Sequence, residues 1–104
     1  MSNQPRNEKL CFIYAVNYAT GKKHIAKVKA QVTETAEVPP IKIYTKNDIL
    51  KLNDSGFRIV TTIKRGTKYG FGADVDVYLL KGVRFLKTEP NDREEDNLGE
   101  LPTF

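Results

Sequence analysis

Apolar side chains recur at every second position along most of this chain, in short runs, and only one stretch carries the start and stop signals of a helix. That combination confines the fold to a sheet with little helix to cover it. Residues 10–18 are rich in aromatic and β-branched side chains, with Phe12, Tyr14, Val16 and Tyr18 on one face and Cys11, Ile13 and Ala15 on the other. Two apolar faces predict a central strand. Thr20-Gly21-Lys22-Lys23 reads as a turn, and residues 24–31 alternate again, with Ala26, Val28 and Ala30 inward and Ile25, Lys27 and Lys29 outward. The first two strands should therefore form a hairpin with a basic outer face. Pro39-Pro40 cannot donate to a ladder and introduces a short edge strand at 41–44.

The helix follows. Thr45 can cap the first amides, Asp48 three residues later completes a capping-box pair, and Gly56 supplies the left-handed stop. Ile49, Leu50 and Leu52 form its apolar stripe, and a helix of about ten residues is too short to persist alone, so it must lie on the sheet. Residues 57–64 and 73–81 read as two more strands joined by a glycine-rich loop over 65–72, and Lys81-Gly82 turns into a last strand at 83–87. The expected fold is an α+β domain, a small, mostly antiparallel sheet of about five strands with one short helix packed on one face. Residues 10–88 make that single domain, after a disordered stretch at 1–9 and before an acidic tail at 89–104 that carries apolar anchors.

Charge divides along the same line. Residues 1–87 hold 16 Lys+Arg against 7 Asp+Glu, and residues 88–104 hold 1 against 6, so a body of +9 meets a tail of −5. A one-signed surface draws an oppositely charged partner from a distance and weakens in salt, which points to a binding surface before an active site. In the tail, Leu98, Leu101, Pro102 and Phe104 should seek a groove on the domain or on a partner, each large apolar side chain gaining roughly 1.5–3 kcal/mol by leaving water. The first nine residues are polar, with no signal core, and the longest apolar run, 10–16, is far below the roughly 20 residues of a spanning helix. A cytoplasmic protein without membrane contact is expected, and the lone Cys11 fits a reducing compartment.

Groups for catalysis are scarce: one His, one Cys, and two serines, Ser2 and Ser55. A nucleophile and its base must lie within hydrogen-bond reach, and a hairpin about Thr20-Gly21 sets Cys11 far from His24. Cys11 is expected as a core thiol and His24 as a polar residue at a strand start, with no catalytic residue, metal ligand or cofactor. Asp74 and Asp76 share one strand face roughly 7 Å apart, and Asp92, Glu94, Glu95 and Asp96 lack the ligand pattern of a calcium loop. Gly66, Gly70 and Gly72 precede a strand, whereas a phosphate loop opens a helix. The same hairpin interleaves Lys64, Arg65 and Lys68 with Tyr69 and Phe71, a pattern suited to phosphates and unstacked bases. Lys22, Lys23, Lys27 and Lys29 extend it if the two hairpins are neighbours. Against that stands the plainer role of lysines that keep an exposed β-face soluble.

The run Phe85-Leu86-Lys87-Thr88-Glu89-Pro90-Asn91, then Asp96-Asn97-Leu98, Leu101-Pro102 and Phe104, resembles the carboxyl-terminal signature of short bacterial proteins grouped as domain-of-unknown-function family 3892. The likeness extends more loosely over about residues 10–104. It implies a compact stand-alone domain and transfers no activity. Together these features predict a small non-enzymatic interaction module that binds a protein partner through its basic sheet face, its tail, or both. The alternative is a nucleic-acid-binding domain using the basic face and the 64–71 hairpin, with the acidic tail as an autoinhibitor that mimics phosphate.

Overall fold

The structure, a computed structural model, describes residues 9–21, 24–33, 40–99 and 101–104, with Lys64, Arg65, Lys68 and Tyr69 described in the backbone alone. Its elements run β1 (Leu10–Tyr18), β2 (Ile25–Thr33), β3 (Lys42–Thr45), α1 (Lys46–Asp54), β4 (Arg58–Arg65), β5 (Lys68–Leu80) and β6 (Val83–Lys87). The α+β class holds. Among the described residues, however, the sheet has six strands in the order β3-β2-β1-β4-β5-β6, and it is mixed. Four pairings are antiparallel, but β1 and β4 run parallel from Leu10 beside Arg58 to Ile13 beside Thr61. A parallel pair needs a long crossover, which here is the whole β2-β3-α1 stretch. No described helix is long and apolar enough to cross a membrane.

Local signals hold where the chemistry is local. Thr45 Oγ1 accepts from the Asp48 amide at 3.1 Å, and the Asp48 carboxylate accepts from the Thr45 amide at 3.0 Å, closing the capping box. The Thr45 amide first, and the Thr45 side chain after it, hold the Asp48 carboxyl below its usual range. Ile49 and Leu50 are buried, and they join Cys11, Ile13, Val16, Ile25, Val28, Ala30, Ile59, Val75, Leu86 and Leu98 in one core. The helix therefore covers the Cys11 and Ile13 face of the sheet.

Three bulges alter what alternation predicts. Tyr14 is an extra residue against β2, between Ile13 beside Ala30 and Ala15 beside Lys29. It reverses the parity of β1, so Val16 joins Ile13 in the core and Ala15 turns to the other face. Ala26 is extra on β2, between Lys27 beside Asn17 and Ile25 beside Tyr18. Ile25 is thereby turned into the core, 3% exposed, and not outward as its position in the alternation predicts.

The third bulge replaces the expected glycine-rich loop. The chain reverses in two residues, Gly66 and Thr67, and Gly70 and Gly72 lie inside the 13-residue β5. There Thr61 of β4 faces both Gly72 and Ala73, and Thr61 Oγ1 accepts the Ala73 amide at 2.9 Å. A Cβ at Gly72 would stand 2.4 Å from that hydroxyl oxygen and 3.0 Å from the Thr61 carbonyl oxygen. Gly72→Ala is expected to destabilise the fold by about 1–3 kcal/mol, the usual cost of overpacking, read as a shift in the urea unfolding midpoint at unchanged slope. Gly70→Ala, with open space around it, should cost less.

Candidate binding surface

The face opposite α1 carries no helix among the described residues. Cross-strand partners share a face, so the pairings Asn17 with Lys27, Ala15 with Lys29 and Phe12 with Gln31 put Lys27 and Lys29 on the same side as Phe12. Phe71 on β5 reaches that side too, its ring 5.4 Å from Phe12 and tilted by 51°. Phe71 is 58% exposed. The Arg58 guanidinium lies 5.8 Å from the Phe71 ring and bonds Asp74 at 2.7 Å, a contact that lowers the Asp74 carboxyl below its usual range. Tyr14 donates its hydroxyl to Gln31 Oε1.

The tail ends on this face. Beyond Ile13, β4 leaves the edge of β1, and residues 102–104 take its place: the Val16 amide donates to the Pro102 carbonyl at 2.9 Å, and the Phe104 amide to the Val16 carbonyl at 3.2 Å. Phe104 sets its ring 4.8 Å from Lys29 Nζ. Leu98 is buried in the core, Leu101 packs partly against it, and Pro102 is exposed.

The tail's acids point elsewhere. Asp96, 3% exposed, accepts the Ile25 amide at 2.6 Å, the Leu86 amide at 2.8 Å and Lys46 Nζ at 2.9 Å. One carboxylate thus ties together the starts of β2 and α1 and the end of β6. Glu94 pairs with Lys81 at 3.0 Å, and Glu95 lies 3.9 Å from Arg93 within the tail itself. Lys87 is fully buried and donates to the Asn91 and Arg93 carbonyls at 3.0 and 2.5 Å and to Asn91 Oδ1 at 2.5 Å, which wraps residues 91–93 around its ammonium. Lys46, Arg58, Lys81 and Arg84 each meet a carboxylate. Lys27 and Lys29 have no carboxylate partner among the described residues.

Of the residues singled out in the sequence, Lys27, Lys29 and Phe71 therefore share one face, and Phe104 joins them. Lys22 and Lys23 lie outside the described residues, as do the side chains of Lys64, Arg65, Lys68 and Tyr69. Phe12 and Arg58 complete the surface and are not among the residues the sequence singles out; the sequence signal for Phe12 is its place on the side of β1 away from Cys11. His24 stacks on Phe85 at 5.5 Å, and its Nδ1 accepts from Lys46 Nζ at 3.5 Å. Cys11 is buried, and desolvation pushes its thiol up to about 12, so it has little thiolate to offer as a nucleophile. No cluster of three or more metal-ligating side chains occurs among the described residues.

The family model described as protein of unknown function (DUF3892) matches residues 12–102. No curated protein and no solved structure matches the chain.

Proposed function

For a chain that belongs to this family of unknown function, we propose a role as a small non-enzymatic binding module of the bacterial cytoplasm, working through the uncovered face of its sheet on single-stranded nucleic acid. The observation that carries the reading is the grouping on that face of Phe12 and the exposed Phe71 with Lys27 and Lys29, two cations that no carboxylate neutralises among the described residues. Rings accept stacked bases whatever their identity, and ammonium groups follow the phosphates between them. Arg58, ion-paired with Asp74, sets its guanidinium beside the Phe71 ring.

A titration of labelled oligo-dT and oligo-rU by fluorescence anisotropy, at about 50 and 200 mM salt, tests it. Binding should weaken steeply with salt, by a slope of roughly 0.7 per phosphate neutralised on a single strand. The Lys27→Ala, Lys29→Ala double variant should flatten that slope, and Phe71→Ala should remove the roughly 1–3 kcal/mol that one stacked base contributes. A parent protein that binds neither oligonucleotide at 50 mM salt ends this reading.

A protein partner remains the second reading, favoured by the edge strand β3. Ile41 just before it and Ile43 within it are 49% and 57% exposed, and among the described residues only β2 pairs with the strand. It expects Ile43→Asp to abolish capture of such a partner while oligonucleotide affinity stays unchanged.

A further inference from the structure

The last four residues are held differently from the rest of the tail. Leu98 is 2% exposed and Asp96 is locked by three donors, whereas Leu101 is half-buried and Phe104 is 38% exposed. Between the two groups stands Gly99 at φ +77°, a backbone conformation that L side chains rarely adopt and a natural pivot. Beyond it, among the described residues, residues 101–104 are attached to β1 by two backbone hydrogen bonds and by one from the Asn17 side-chain amide to the Phe104 main-chain oxygen. Open clefts flank it on both sides. One, of about 690 Å³, lies between Leu98, Gly99, Leu101 and Pro102 and the β4–β5 hairpin at Thr61, Ile63 and Gly72; the other, of about 530 Å³, lies between Phe104 and the β1–β2 turn. Residues 101–104 can therefore leave the sheet without unpacking Leu98 or freeing Asp96.

What they leave behind is the platform. The Phe104 ring sits over Lys29, the arrangement a stacked ligand ring would take beside that ammonium. We infer that residues 101–104 are a detachable cover, with Phe104 occupying in cis the Lys29 end of the proposed nucleic-acid surface and giving way when a strand binds. The inference rests on the reading of that surface proposed above. It also differs from phosphate mimicry, because the paired tail carboxylates Glu94, Glu95 and Asp96 are engaged away from Lys29. The cover acts through a ring, so its effect should persist as salt rises.

Two measurements test it. In the anisotropy titration, Phe104→Ala should bind the oligonucleotides about 2–5-fold more tightly than the parent, the loss of competition from an exposed cation–π contact of about 0.5–1 kcal/mol. Weaker or equal binding overturns the inference, since Phe104 would then be part of the platform or a bystander. Native-state hydrogen exchange gives the second readout, independent of any ligand. The Val16 and Phe104 amides should exchange by local opening, at a rate insensitive to low denaturant, while the core amides of β1 and β2 exchange only by global unfolding. If the Val16 and Phe104 amides share the global rate, the segment does not detach and the cover is excluded, even where oligonucleotide binds. If the parent binds no oligonucleotide, the platform reading fails and the cover fails with it; local exchange would then show only a detachable strand.

Discussion

Replacing Asp96 with alanine should cost the domain about 3–5 kcal/mol, the usual consequence of breaking a buried ion pair from one side. The Ile25 and Leu86 amides lose their acceptor, and Lys46, whose side chain is 15% exposed, loses its counter-charge. Domains of this size hold about 5–15 kcal/mol in all, so much of the margin goes with one side chain. Asp96→Asn should recover only part of it, because an amide turns a donor toward groups that are all donors. Lys46→Met, which leaves both backbone amides satisfied, should cost about 1.5–3 kcal/mol, the range of a single charge-assisted hydrogen bond. Urea unfolding checks the series, and a loss below about 1 kcal/mol for Asp96→Ala would mean that water replaces the carboxylate at little cost.

Leu98→Ala is the second large effect. A leucine 2% exposed within the main core should cost about 2–5 kcal/mol on truncation, from lost transfer energy and the cavity left behind. The informative comparison lies along the tail. Leu101→Ala should cost distinctly less than Leu98→Ala, and Phe104→Ala no more than the roughly 0.5–1 kcal/mol of its exposed cation–π contact. Such a gradient would place the boundary between core and edge at Gly99. Equal losses at Leu98 and Phe104 would instead mean that the tail docks as one unit.

The parts of this fold legible in the sequence are those whose causes are close along the chain. Thr45 with Asp48, Gly56, and the Lys81-Gly82 turn each act within a few residues, and they give the helix limits and the last hairpin directly. Bulges are not legible that way. Nothing at Tyr14 or Ala26 distinguishes an extra residue from an ordinary strand position, because a bulge is set by the partner strand, and each displaces one apolar residue, Val16 or Ile25, from the face that alternation assigns. The parallel union of β1 and β4 is hidden for the same reason, since a hairpin reading pairs only neighbours. By composition Asp96 is one more acid of an acidic tail. A signal was present nonetheless: it stands two residues before Leu98, so an extended chain that buries the leucine carries the carboxylate inward with it. On the uncovered face, the alternation of β2 located Lys27 and Lys29, whereas the meeting of Phe12 with Phe71 required knowing that β1, β4 and β5 are adjacent.

The Asp96 bond to Ile25 spans 71 positions of sequence. A ribosome makes the β1–β2 hairpin long before it makes the carboxylate that secures the start of β2, and contacts of such separation are slow to form even in a finished chain. This domain should therefore acquire its native state only after residue 98 has emerged, and a nascent chain stalled before that point should be sensitive to protease throughout. The stability of the first strands is thus settled by a residue synthesised 71 positions after the start of β2.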